Sequence, residues 1–327
     1  MRGWQWALVL VAALGCASPP PQAGPLRRNL DHACAAEPHP LLAQPTPPPP
    51  VAGNPRLRPR VATLSAGDPP PAAGARVMIV SVDGLRPDAI FQAPAPNLLE
   101  LACRGAYSWK AQTINPSMTV PSHASMVSGV LPEVHGLYND DLRLGYLDAP
   151  TVMALARGAG KRVVMIVGKE KLVQLDAPGS TDVYVLASTD DEVVNQAVLQ
   201  ATGGFDLMFV HLPLVDLTGH LEGWMSEPYL AQVARTDAAL GRLLQVVGSA
   251  VTVIVTSDHG GFEFIHWSGA PEDWQIPWII AGPGIRAGHP IEMPISTVDT
   301  AATAAAMLGL TLDEAASGQP VDEAFLR

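Results

Sequence analysis

The chain of 327 residues, 48% of them hydrophobic, is long enough for one large α/β domain with a sizeable core and an accessory segment. Its net charge of −11 argues against binding to nucleic-acid polymers, which need a basic surface. The three cysteines form no C-x-x-C pair, which excludes a disulfide scaffold and a cysteine zinc knuckle, so any metal ion must be held by His and Asp.

The first 16 residues have the features of an export signal. Arg2 precedes an apolar run from Trp4 to Gly15 that is too short to cross a bilayer. The run ends Ala13-Leu14-Gly15-Cys16, which resembles a bacterial lipoprotein box, although Ala13 stands where Leu or a similar residue is usual. We predict a lipoprotein-type signal peptide over 1–16 and an exported protein, anchored through a lipidated Cys16 in the bacterial cell envelope and facing the periplasm or the exterior. Ordinary signal-peptidase cleavage is the alternative.

Residues 17–75 hold 16 of the chain's 32 prolines. Such a composition cannot pack a core, and it predicts an extended, disordered tether between the membrane and a folded domain. Cys34 lies in this tether and Cys103 in the domain. A bridge between them is one alternative, and two unpaired thiols are the expectation.

From residue 76 to 327 short apolar runs alternate with helical patterns. The predicted strands are 77–80, 163–167, 207–210, 251–255 and 277–280, and the predicted helices are Pro96–Arg104, Pro121–Ser128, Asp190–Leu199 and Glu227–Val247. Apolar runs without alternation suit strands buried on both faces. The alternation therefore predicts an α/β domain, with a mostly parallel sheet sandwiched by helices.

Carboxylates and imidazoles follow three of these predicted strands. Ligands of open α/β sheets bind beyond the carboxyl ends of the strands, so these side chains should meet at one edge. Each alone is more often a helix cap or a turn residue, and their coincidence is the signal. Imidazole and carboxylate are a normal shell for Zn²⁺. The candidates are Asp83 after the first strand, Asp216 and His220 after the third, and Asp258, His259 and His266 after the fourth.

Thr119 is the candidate nucleophile. Pro121 fits a first helical turn, so Thr119 should lie at or just before a helix N-terminus, where free backbone N–H groups suit an anion. From this segment alone a simple N-cap role for Thr119 remains the alternative.

Five motifs, in order from about residue 76 to 310, resemble the alkaline phosphatase superfamily, and its nucleotide pyrophosphatase/phosphodiesterase branch in particular. They are Val82-Asp83-Gly84, Thr119-Val120-Pro121-Ser122-His123, the segment from Gly129 to Gly136, Asp216-x-x-x-His220, and Ser257-Asp258-His259-Gly260-Gly261. The resemblance implies an alkaline phosphatase-like core and two divalent metal ions, usually zinc. The stretch between Asp140 and Gly203 leaves little room for a large cap, so we expect a minimal cap. It puts one ion on Asp216, His220 and His266, and the other on Asp83, Asp258 and His259, with the Thr119 oxygen between the two. His123, His135 and His211 match no ligand position and are interpreted as structural.

The chain departs from the family pattern around the substrate. Val120 stands where an aromatic residue stacks on a base in better-known members, and Ser122 where an Asn contacts phosphate; Ser122 could still donate one hydrogen bond to substrate. Trp267 replaces a small glycine. Val120, Phe262, Phe264 and Trp267 suggest an apolar wall for a leaving group, and packing in the core explains them equally well.

These observations predict an exported, metal-dependent phosphodiesterase with a covalent Thr119 intermediate and a small phosphorylated substrate. Two zinc ions and three aspartates leave one positive charge, which suits a monoanionic diester better than a dianionic monoester. The only nearby cations, Lys169 and Lys171, are expected to be solvated on the surface. Phosphonate or phosphomonoester hydrolysis on the same site, and a non-catalytic surface lipoprotein, are the alternatives. The C/S-x-P-x-R motif of a sulfatase is missing.

Overall fold

The computed structural model describes residues 74–326, which form one eight-stranded sheet flanked by helices. The strands are β1 (Val77–Val82), β2 (Ala106–Gln112), β3 (Val163–Val167), β4 (Val183–Leu186), β5 (Leu207–Leu212), β6 (Thr252–Thr256), β7 (Gln275–Ala281) and β8 (His289–Pro290). Their order in the sheet is β4-β3-β5-β1-β6-β7-β2-β8. All pairs are parallel except those that β7 makes with β6 and β2. The sheet is therefore mostly parallel, as the sequence predicted.

Ten α-helices lie in the described residues. They are α1 (Pro87–Gln92), α2 (Pro96–Arg104), α3 (Thr119–Ser128), α4 (Pro132–His135), α5 (Val152–Gly158), α6 (Asp190–Thr202), α7 (Leu214–Glu222), α8 (Glu227–Val247), α9 (Pro271–Trp274) and α10 (Asp299–Leu308). Several begin with sequence signals for a helix start: Pro is in the first turn of α1, α2, α4, α8 and α9, and a Thr or Ser hydroxyl caps α5, α6 and α8. Among the described helices none is long and apolar enough to cross a membrane.

Successive residues of the central strands feed two hydrophobic cores, one on each face of the sheet. In β1, Val77 and Ile79 pack with the helices α3, α5 and α10 on one face. Met78 and Val80 pack with α2, α6 and α8 on the other. Because both faces are covered, the central strands must be apolar throughout, and this is why they could be predicted from uninterrupted apolar runs.

The five predicted strands and four predicted helices are all confirmed, with shifts of one to three residues at some ends. β2, β4 and β8 were missed. β2 mixes Ser, Lys and Gln with apolar residues, β4 has no fully buried residue, and β8 has only two residues, so none of them contains a long apolar run. Helix α7 was also missed; it begins two residues after β5 and carries the candidate ligands Asp216 and His220.

The predicted signal peptide, the lipidated Cys16 and nearly all of the predicted tether lie outside the described residues, and their predictions stay open. Cys103, near the end of α2, takes part in a disulfide. The expectation of an unpaired thiol at Cys103 is therefore wrong; the other two cysteines of the chain are not among the described residues.

Candidate active site

The six predicted metal ligands converge at the carboxyl edge of the sheet. Asp83 follows β1, Asp216 and His220 lie on α7 after β5, and Asp258 and His259 follow β6. Ligand atoms of Asp83, Asp258 and His259 lie within 4.8 Å of one another, and so do those of Asp216, His259 and His266. His220 joins the second set from its edge, with Nε2 3.4 Å from Asp216 Oδ1. We call Asp83, Asp258 and His259 the inner group, and Asp216, His220 and His266 the outer group.

Close approach of the backbone brings these elements together. A Cβ on Gly84 would lie 2.8 Å from the Asp216 Cα, and one on Gly260 would lie 2.0 Å from the Glu272 carbonyl oxygen. Gly84 also needs a positive φ of 73°. The glycines beside the ligands are therefore required by packing, since any side chain there would push α7 or the β6 loop away.

Four buried polar atoms in this cluster have no hydrogen-bond partner. They are Asp83 Oδ1, Asp216 Oδ1, Asp258 Oδ2 and His259 Nε2. An unpaired buried polar atom costs about 1–3 kcal/mol, more for a charged group, so four of them in one place need an explanation. All four belong to predicted ligands. Divalent cations held by these oxygen and nitrogen atoms would satisfy them, so the residues present fit the two metal ions that the family resemblance implies.

Hydrogen bonds to backbone carbonyls fix the tautomer of the three ligand histidines. The Nδ1 atoms of His220, His259 and His266 lie 2.8, 2.9 and 2.6 Å from the carbonyl oxygens of Phe264, Gly260 and Ser117. A carbonyl can only accept, so each Nδ1 carries the proton and each Nε2 presents a lone pair. Orientation of a metal-binding imidazole by such a bond is the usual arrangement in metalloproteins.

The three histidines interpreted as structural have both ring nitrogens engaged within the protein. His123 bonds to the Thr119 carbonyl and the Ser81 hydroxyl. His211 accepts from the Gly168 N–H and donates to Asp83 Oδ2 at 2.8 Å. His135 accepts from the Leu137 N–H and pairs with the Ser125 hydroxyl. Their nitrogens are thus not available to a metal ion.

Thr119 is the first residue of α3 and is fully buried. The N-cap is Met118, which makes no side-chain cap bond, so the interpretation of Thr119 as an N-cap is wrong. The hydroxyl instead lies beside the cluster, where Oγ1 is 3.5 Å from Lys169 Nζ.

Lys169, which the sequence analysis assigned to the solvated surface, belongs to the site. Its ammonium lies 2.7 Å from Asp83 Oδ2 and 2.5 Å from Asp216 Oδ2, so it bridges one carboxylate of each group. The unpaired oxygen of both carboxylates is Oδ1, so the ammonium and metal ions would use different atoms. A lysine after an apolar strand looks the same whether it points to solvent or into a cleft, which is why sequence reasoning missed it.

Electrostatics in the site follow from three carboxylates sharing one ammonium. Burial opposes ionisation of Asp83, but the Lys169 charge and the His211 hydrogen bond outweigh it and hold the pKa of Asp83 well below its usual value. Burial and the charge of Asp83 raise the pKa of Asp258 well above its usual value. Burial together with His259 lowers the pKa of His266 to about 2, which keeps that imidazole neutral. The protein thus supplies more negative charge than it neutralises, which suits cations.

Asp140 occupies the N-terminus of the nucleophile helix. Its Oδ1 accepts from the Val120 N–H at 2.8 Å, and its Oδ2 lies 2.6 Å from Lys171 Nζ. Lys171 is therefore in an ion pair, and its assignment to free solvation is also wrong. Pro121 has no N–H and Val120 donates to Asp140, so the helix start offers an anion fewer N–H groups than the sequence predicted.

The predictions for the remaining residues near the substrate have different outcomes. The buried Ser122 hydroxyl lies 2.9 Å from Thr113 Oγ1, so it has a partner within the protein, and its contact with substrate stays a prediction. Val120 is fully buried and packs in a core, so its assignment to an apolar wall is wrong. Phe262, Phe264 and Trp267 are exposed, and core packing does not explain them.

The fold and this cluster of ligands define a member of the alkaline phosphatase superfamily. A model of the type I phosphodiesterase / nucleotide pyrophosphatase family matches residues 77–158 and 167–265, more than half of the chain. The chain belongs to this family, and the matched residues include Thr119 and all the predicted ligands except His266.

Known proteins similar to the chain include enzymes of several kinds. The chain is 26% identical over 274 residues to the catalytic subunit of human GPI ethanolamine phosphate transferase 2. The aligned region covers 76% of this chain and 28% of that protein. It is 25% identical to an uncharacterised pyrophosphatase/phosphodiesterase of Schizosaccharomyces pombe, covering 56% of this chain and 44% of that protein. The chain thus spans less than half the length of these curated relatives. Murine ectonucleotide pyrophosphatase/phosphodiesterase 5 superposes with a TM-score of 0.62 at 16% identity, covering 73% of this chain and 96% of that one, which shows a shared fold.

Proposed function

We propose that this chain is a phosphodiesterase that uses Thr119 as its nucleophile. It would hold two divalent metal ions, for which we propose zinc, one in the inner group and one in the outer group. The observation that carries the proposal is the convergence of four unpaired buried ligand atoms at a site that also contains the Thr119 hydroxyl. The proposed substrate is a small phosphorylated molecule. The non-catalytic alternative is disfavoured, because all six predicted ligands are present and brought together.

In the proposed reaction the Thr119 hydroxyl releases its proton to water, its oxygen attacks phosphorus in line with the leaving group, and the departing alkoxide takes up a proton from water. The bond from phosphorus to Oγ1 forms as the ester bond breaks, and water then hydrolyses the phospho-threonine by the same geometry. Bound metal ions would lower the pKa of the attacking hydroxyl and neutralise charge that develops on the leaving oxygen. His123 holds the Thr119 backbone through a 2.7 Å hydrogen bond, and Lys169 adds a positive charge beside the nucleophile.

The test is hydrolysis of bis-p-nitrophenyl phosphate by zinc-loaded protein, compared with Thr119→Ala. We expect a loss of at least about a thousandfold in kcat with zinc content unchanged, because the covalent route is removed while the ligands remain. Thr119→Ser keeps a hydroxyl and serves as the control, with partial activity. Full activity in Thr119→Ala would eliminate the covalent route, and higher kcat/KM on p-nitrophenyl phosphate would make the protein a monoesterase.

We also propose that the protein is exported and anchored through Cys16. The support is the sequence of residues 1–16 alone, which lie outside the described residues. Labelling with a radioactive fatty acid in a bacterial host should mark the wild type and not Cys16→Ala. Equal labelling of both would rule out this anchor, and retention in the cytoplasm would rule out export.

A further inference from the structure

Five exposed apolar side chains lie on the two segments that carry the outer histidines: Leu217 and Leu221 on α7, and Phe262, Phe264 and Trp267 in the loop after β6. We call these five residues the apolar rim. Each is at least 40% exposed, whereas most large apolar side chains among the described residues are buried. Single exposed apolar residues are ordinary, but five of them on the two segments that carry His220 and His266 point to a binding surface.

The rim is built around His220. The His220 ring centroid lies 5.0 Å from that of Trp224 and 5.8 Å from that of Trp267, and its Nδ1 donates to the Phe264 carbonyl. The backbone N–H of Trp224 donates to the Glu263 carbonyl at 2.7 Å, and this bond joins the residues after α7 to the loop that follows β6. The two segments that carry the rim are therefore joined to each other beside His220.

The site opens to solvent at the same place. The His220 side chain is 31% exposed, while the other five ligands are 4% exposed or less. Because His220 is the most exposed of the six ligands, we place the outward substituent of a substrate bound at Thr119 on the His220 side. That substituent then meets the rim.

Charge distinguishes between two kinds of occupant. Glu222 and Glu263 are exposed within the rim, and the whole chain carries a net charge of −11. An anionic membrane surface would be repelled by them. An uncharged hydrocarbon or aryl group of the substrate would gain free energy by leaving water and meets no such penalty.

We propose that the apolar rim binds an uncharged apolar substituent of the substrate, so that the preferred substrates are amphiphilic phosphodiesters with a hydrocarbon or aryl group on the His220 side. This inference rests on the proposed phosphodiesterase function and names its substrate class. The rim then determines specificity: its contact with the apolar substituent raises kcat/KM for the substrates that carry one.

The experiment compares methyl p-nitrophenyl phosphate with hexyl p-nitrophenyl phosphate, which share a leaving group and differ only in the hydrocarbon. We expect the zinc-loaded full-length protein to prefer the hexyl ester by about tenfold in kcat/KM, since partial burial of five methylene groups has at least this effect. Leu221→Gln and Trp267→Ala should each reduce this preference about threefold, and Trp267→Phe should preserve it. Leu199→Gln is the matched control, because Leu199 is an exposed leucine near the end of α6, at the opposite edge of the sheet.

The outcomes separate the two proposals. Hydrolysis of neither ester overturns the phosphodiesterase function. Hydrolysis of both esters at equal kcat/KM, or a hexyl preference that survives both Leu221→Gln and Trp267→Ala, overturns the rim alone. A third outcome assigns the rim to a membrane and overturns the proposed substrate class. In that outcome the rim variants hydrolyse the esters like wild type, and wild-type protein sediments with phosphatidylglycerol vesicles whereas Leu221→Gln does not.

Discussion

The inner and outer groups have the same ligand chemistry and differ in how the protein surrounds them. All three inner side chains are fully buried. In the outer group Asp216 and His266 are almost as buried, but His220, near the C-terminal end of α7, is partly exposed. Neighbouring groups of the protein hold the side chains of both groups, so the difference is one of access: the inner group is closed to water, and the outer group is where we expect substrate and water to enter.

His259 provides the sharpest test of this comparison, because its Nε2 belongs to both sets of clustered atoms. We expect His259→Ala to lose zinc from both groups and at least about a thousandfold in kcat/KM. His220→Ala removes one nitrogen ligand from the outer group alone, so it should weaken only the outer ion, and added zinc should restore part of the activity.

The measurement is zinc per protein after dialysis, followed by titration of activity with zinc. His135→Ala is the control, since His135 is buried with both ring nitrogens engaged and away from the ligands. Equal zinc loss and equal rescue in His259→Ala and His220→Ala would show that the two groups do not differ in the way proposed.

Sequence reasoning predicted where most of the candidate ligands meet because they are tied to strand ends. Asp83 and Asp258 follow apolar runs that can only be buried strands, so the parallel topology determines where they meet. Lys169 also follows a strand, but the sequence does not say whether a lysine there points to solvent or into the cleft. Asp140 lies in an irregular segment between α4 and α5, and no apolar pattern predicts where that segment meets the start of α3. For Val120 the sequence left a cleft wall and core packing open for a related reason: a residue next to the candidate nucleophile can face either, and the structure places it in the core.

Lys169 tests the link between the two groups, since its ammonium contacts a carboxylate of each. The diester preference predicted from charge counting assumed that no such cation was present. A second negative charge on the phosphoryl group gains more from this ammonium than a single one does. We expect Lys169→Gln to lower kcat/KM for p-nitrophenyl phosphate about tenfold more than for bis-p-nitrophenyl phosphate.

Lys171→Gln is the matched control for this experiment, because Lys171 lies two residues away and pairs with Asp140 rather than with the ligands. It should change the ratio of the two substrates much less. If both lysine variants shift the ratio equally, the effect comes from the general field of the loop, and Lys169 has no special position between the groups.

Asp140→Asn is expected to have the smallest effect on activity of these variants, and its effect should be confined to KM. The Asp140 carboxylate places a negative charge on the Val120 N–H, one residue from the nucleophile, where an anionic phosphoryl oxygen would otherwise be favoured. Asp140→Asn keeps an acceptor for that N–H and removes the charge. We therefore expect KM for bis-p-nitrophenyl phosphate to fall about threefold with little change in kcat, and the difference to shrink at high salt as the charge is screened.

Asp141→Asn is the neighbouring control, because Asp141 is paired with the exposed Arg143. A rise in KM for Asp140→Asn would instead mean that the Asp140–Lys171 ion pair is needed to hold the start of α3, and that its contribution to positioning Thr119 exceeds the cost of its charge.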